Sequence, residues 1–160
     1  MKSPRRSLAI ALVALSPLVL AGCEKPYPGA TVWSGTSSEH VEALCWQPEE
    51  LGGLTPRECA EDVLATAGSG EGITALEVRP GNTLGISVDP VVAEGGWSLQ
   101  IAGQTLATNL TETYHRFTFP EDPQVWDQVT AEGGGYTLQV IAAARPNGAR
   151  GYWFVQVLPR

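Results

Sequence analysis

From Thr74 onward the chain alternates with a period of two, and turn residues interrupt it every few positions. Leu76 and Val78 flank Glu77, Leu84, Ile86 and Val88 alternate with Gly85 and Ser87, and Trp97, Leu99 and Ile101 alternate with Ser98 and Gln100. Successive side chains of a strand point to opposite faces, so each run describes a strand with one apolar face. Arg79-Pro80-Gly81-Asn82 places Pro and Gly as a type II turn requires, and Asp89-Pro90 ends the strand after it. Gly95-Gly96 opens the next strand, and Gly103 turns it back into residues 104–108. Tyr114 to Phe119 reads as a strand with His115, Phe117 and Phe119 on one face, and Val125 to Val129 as a single helical turn. Tyr136 to Ala144 and Gly151 to Leu158 flank Pro146-Asn147-Gly148-Ala149, and Asn-Gly between two apolar runs signals a hairpin. Upstream, Thr31 to Trp33 predicts a first strand, Gly35 to Glu39 a turn, and His40 to Trp46 a strand whose buried face the residues leave open. Seven or eight short strands with Gly/Pro turns predict a mainly β chain. The expected fold is an antiparallel immunoglobulin-like β-sandwich, because several connections are too long for an up-and-down barrel.

The N-terminus reads differently. Lys2, Arg5 and Arg6 precede an apolar run from Leu8 to Leu20, broken only by Ser16 and Pro17. Thirteen residues are too few to cross a bilayer core that needs about 20, so the segment reads as an export signal. It closes on Leu20-Ala21-Gly22-Cys23, which resembles a bacterial lipoprotein signal with Cys23 as the lipidated residue. The division expected is a signal peptide over residues 1–22, a Pro/Gly tether over 23–30 and one domain over 31–160. The implied location is the extracytoplasmic face of the cell membrane, held there through the lipid.

The signal contains three of the ten basic residues and none of the seventeen acidic ones, so residues 23–160 carry a formal charge of −10. That excludes nucleic acid, whose phosphates need a basic surface, and it excludes docking on anionic lipid through the protein surface. With Cys23 assigned to the anchor, Cys45 and Cys59 remain as an even pair outside the reducing cytoplasm, and a disulfide is expected. Closing a loop of about 15 residues is worth roughly 3 kcal/mol in the chain-entropy model. Thr55-Pro56-Arg57-Glu58 forms a capping box with Pro at the first helical position, predicting a short helix from Pro56 to about Thr66, ended by the Gly68 to Gly72 cluster. The Cys45–Cys59 bridge would staple that helix to the strand before it.

Leu76-Glu77-Val78-Arg79-Pro80-Gly81, Ile86-Ser87-Val88 and the later Trp97 resemble a family of small actinobacterial lipoproteins of unknown function. The likeness covers about residues 20–105. It implies a lipidated N-terminus joined to one β-sandwich domain, and no catalytic residue.

A search for chemistry finds no G-x-S-x-G, no H-E-x-x-H and no EF-hand loop. His40 alone accompanies the cysteine pair, so a structural zinc shell is incomplete, and no metal or cofactor is expected. Glu112 and His115 are three apart in a strand pattern and so face opposite sides. Glu49-Glu50 and Glu121-Asp122 read as solvated acidic loops. Five tryptophans are the remaining clue. Trp97 reads as core; Trp33, Trp46 and either Trp153 or the Tyr152/Phe154 pair could be exposed to hold a partner. The reading is a monomeric, non-enzymatic envelope module binding a protein or glycan, with a small hydrolase or inhibitor built on loop residues as the alternative. If Cys45 and Cys59 are bonded, thiol labelling of the denatured chain without reductant detects neither; full labelling of both would refute the bridge.

Overall fold

The computed structural model describes residues 26–47, 73–122, 135–143 and 148–160. The signal over 1–22, lipidation at Cys23, the helix from Pro56 with Cys59, the helical turn from Val125 and the Pro146-Asn147 corner lie outside them.

Ten strands and one short helix make up the described fold. They are β1 (Gly29–Ser34), β2 (Ser37–Glu42), β3 (Cys45–Trp46), β4 (Ala75–Val78), β5 (Thr83–Val88), α1 (Pro90–Gly95), β6 (Trp97–Ile101), β7 (Gln104–Leu110), β8 (Tyr114–Thr118), β9 (Tyr136–Ala143) and β10 (Ala149–Pro159). One sheet runs β2-β1-β5-β8; the other runs β3-β10-β9-β6-β7, with β4 also on β10. The expected sandwich is therefore present.

Alternation sets what each sheet buries. Val32, Leu84 and Ile86 of the first sheet, and Trp97, Leu99, Ile101, Leu138, Trp153, Val155 and Val157 of the second, are at most 1 % exposed and form one core. The two core indoles also satisfy their N–H groups. Trp97 Nε1 donates to Glu112 O at 2.8 Å, and Trp153 Nε1 donates to Pro28 O at 2.8 Å. Burying an indole without such a partner would cost the desolvation of its donor.

The turns follow their residues. Asn82 N–H closes on Arg79 O at 3.0 Å with Gly81 at φ 80°, the type II turn expected. Between β6 and β7, Ala102 (φ 49°) and Gly103 (φ 78°) both take left-handed backbone, as a two-residue primed hairpin demands.

Five expectations are corrected. The turn expected over Gly35 to Glu39 is only two residues long, because Ser34 pairs with Ser37 and Gly35 takes φ 61°. The single strand expected over 40–46 is two strands on different sheets. Val41 (β2) faces the core, and after Ala43 the chain crosses over, where Leu44 N–H bonds Tyr152 O (2.9 Å) and Cys45 pairs with Tyr152. The sandwich is not wholly antiparallel, since β4 runs parallel to β10 with Leu76 opposite Val157. Finally, Asp89-Pro90 does more than end a strand. It starts α1, whose Val92 and Ala93 are buried. Asp89 does not cap the helix with its side chain, because its carboxylate accepts the Gly29 N–H at 2.8 Å. Gly29 and Ala30 also belong to β1, so the strand takes the last two residues of the 23–30 segment.

Cys45 is disulfide-bonded; its partner lies outside the described residues. The helix within them, α1, contains no cysteine.

Replacing Trp153 by Phe removes a bond worth roughly 0.5–1.5 kcal/mol and leaves the volume of half an indole empty, for a total cost of about 2–3 kcal/mol. A lower urea midpoint at unchanged slope is the expected result; an unchanged midpoint would show that the bond to Pro28 holds nothing.

Candidate functional site

The outer face of the β2-β1-β5-β8 sheet presents two complete rows of side chains. Across the strands the register sets His40, Thr31, Ser87 and Tyr114 in one row, and Ser38, Trp33, Gly85 and Arg116 in the next. Two glycines shape this surface. A Cβ on Gly85 would collide with the Trp33 indole, and a Cβ on Gly29 would collide with the His40 imidazole. Both rings therefore lie down on bare backbone instead of standing off the sheet. Trp33 and Tyr114 are parallel to within 8°, with centroids 6.3 Å apart. Tyr114 is 39 % exposed, and Thr31 Oγ1 lies 3.0 Å from His40 Nδ1.

The other sequence candidates lie elsewhere. Trp46 lines a cleft of about 600 Å³ with Pro26, Tyr27, Pro28, Val91 and Glu94. The Arg150 guanidinium sits 4.7 Å from its ring centroid, and its indole tilts onto Trp153 at 5.9 Å. Trp153 is 1 % exposed and belongs to the core, so it is withdrawn as a partner-binding residue. Alternation decides this: β10 turns Trp153, Val155 and Val157 inward. Tyr152 and Phe154 stack at 6.3 Å on the opposite side of the same strand, Tyr152 half-buried and Phe154 buried. The four predicted aromatics thus do not converge: Trp33 is on one sheet face, Tyr152 is on the other sheet, and Trp46 is in the cleft. Sequence reasoning missed Tyr114 and the two glycines. Gly85, sitting where an alternating strand wants an outward side chain, was the available signal.

His115 shares its face with Phe117 and Phe119 as expected, and meets Trp97 edge-on at 6.4 Å. Among the described residues no group of three His, Cys, Asp or Glu could hold a metal ion, and no helix is long and apolar enough to cross a membrane.

No known family profile matches the chain, and no curated protein is recognisably similar. Among solved structures, the fibronectin(III)-like modules of Clostridium thermocellum CbhA align with 55 % of this chain and 88 % of theirs, at 13 % identity and a TM-score of 0.37. A lytic polysaccharide monooxygenase of Jonesia denitrificans aligns with 69 % of this chain and 75 % of its own, at 14 % identity and a TM-score of 0.39. Likeness at this level says nothing of function.

Two tyrosines give the domain an alkaline limit. Burial raises the Tyr152 phenol above its ordinary 10.0, and burial, then the nearby Asp122 charge, raises Tyr136 likewise. The folded state favours the neutral phenols, so their contribution is complete below pH 10 and disappears as pH climbs through the raised values. Urea midpoints should fall from about pH 10 upward, with a shallower fall in Tyr136→Phe. An identical slope in that variant would contradict the assignment.

Proposed function

We propose that the protein is a lipid-anchored envelope module that holds a partner, a protein or a glycan, through the outer face of the β2-β1-β5-β8 sheet, without turnover. The observation that carries this reading is the seating of Trp33 and His40 on Gly85 and Gly29 beside an exposed Tyr114. An enzyme collects polar groups in a concavity, whereas a binding module offers a flat aromatic surface. The cleft at Trp46 has carboxylates, yet that of Asp89 is spent on the Gly29 N–H.

The anchor follows from Leu20-Ala21-Gly22-Cys23. Two acyl chains at about 0.8 kcal/mol per buried CH₂ make attachment stable where one would not. Because β1 begins at Gly29, the link from Cys23 spans about 20 Å at full extension, keeping the domain close to the bilayer. In the same reading Cys45 pairs with Cys59, fastening the segment between them to the edge of β10.

Membrane fractionation of cells expressing Cys23→Ala should show an uncleaved or mislocalised precursor. A variant that matures and partitions like wild type would remove the anchor from the account. For the domain, tryptophan fluorescence titrated with envelope extracts should respond, and a substrate panel should show no hydrolysis. Turnover abolished by one Ser, Asp, Glu or His substitution would replace the binding module with the hydrolase alternative.

A further inference from the structure

We infer that the partner on this face is an extended, uncharged polysaccharide whose sugar rings stack on Trp33 and Tyr114. The inference rests on the proposed role of that sheet face and names its ligand.

Three observations carry it. The first is composition: none of the outward positions in the four strands holds Leu, Ile, Val or Met. Protein hot spots use Trp, Tyr and Arg too, but Ser and Thr are under-represented in them, and here the aromatics stand among Thr31, Ser38 and Ser87. Hydroxyls that both donate and accept suit the equatorial hydroxyls of a sugar chain. The second is geometry. The face of an aromatic ring is the negative part of its quadrupole, and the C–H face of a sugar ring is weakly positive. The Trp33 indole seated on Gly85 and the exposed Tyr114 ring, parallel to 8° and with centroids 6.3 Å apart, set two aromatic rings at a spacing close to one sugar residue along an extended chain.

The third is charge. Arg116 and Glu42 are exposed at opposite ends of this face, on β8 and β2, and offset one another. The rest of residues 23–160 leaves a formal −10. A polyanionic glycan approaching this patch meets that field, whereas an uncharged chain does not. The patch is the near-neutral part of an acidic protein, which complements a neutral ligand.

The test is a pull-down of the full chain in detergent by insoluble neutral β-glucan, with affinity electrophoresis in neutral galactomannan and in polygalacturonate. A neutral glycan should retain the wild type and polygalacturonate should not, with little change between low and high salt. Trp33→Ala and Tyr114→Ala should each weaken retention at least tenfold while the far-ultraviolet spectrum stays that of the wild type. Trp46→Ala, in the cleft, should retain the glycan. Failure of every neutral glycan, preference for polygalacturonate, or full retention by Trp33→Ala would overturn the inference. If instead an envelope protein is captured and Trp33→Ala releases it, the glycan is wrong while the face remains the binding surface. If neither class depends on Trp33, both readings fall.

Discussion

Two indoles must be buried in the middle of this sandwich without stranding their N–H groups, and the rest of the structure is arranged around that requirement. Trp153 reaches the carbonyl of Pro28, ahead of β1, and Trp97 reaches the carbonyl of Glu112, ahead of β8. Each bond ties a strand of one sheet to the lead-in of a strand in the other. Hydrophobic burial between sheets is non-directional, so it does not by itself fix how one sheet sits over the other. A buried donor with one acceptor does. The second link from the same region is Asp89, whose carboxylate holds the Gly29 N–H while its own N–H bonds Gly29 O at 3.1 Å. The start of β1 is thus fastened to both sheets.

That fastening positions the candidate surface. With β1 held between β2 and β5, its outward side chains are Thr31 and Trp33, and their neighbours on β5 are small: Ser87 and Gly85. A side chain at residue 85 would lift Trp33 off the sheet. The platform is therefore a product of the pairing register, in which one residue of slip would carry Trp33 into the core and Val32 into solvent.

Much of the fold was legible because alternation is a direct consequence of strand geometry. The runs at Leu76, Leu84 and Trp97 each became a strand with the apolar face inward, and the run at Tyr136 became a strand as expected. The Arg79–Asn82 turn was legible because Pro80 presets one φ and Gly81 takes the positive φ of the next position at no steric cost. The failures have equally physical causes. Residues 40–46 contain apolar side chains on both faces because the segment serves two sheets in turn, a tertiary fact that local pattern does not encode. Helix α1 was read only as a strand end, although Asp89-Pro90 is also a helix start signal. The parallel pairing of β4 with β10 joins residues about 80 apart and has no local signature. In the site, aromatic residue type was visible but direction was not: β10 turns Trp153 inward and Tyr152 outward, and only the sheet contacts decide which.

The central claim is that Trp97 and Trp153 are bonded core residues while Trp33 lies on the outer sheet face. Hydrogen exchange of the indole N–H groups, followed by NMR on nitrogen-labelled protein, tests it most directly. The account predicts slow exchange for Trp97 and Trp153, whose N–H groups are buried and bonded, and fast exchange for Trp33 on its glycine seat. Fast exchange at Trp153, or protection of Trp33 equal to that of the core indoles, would contradict it.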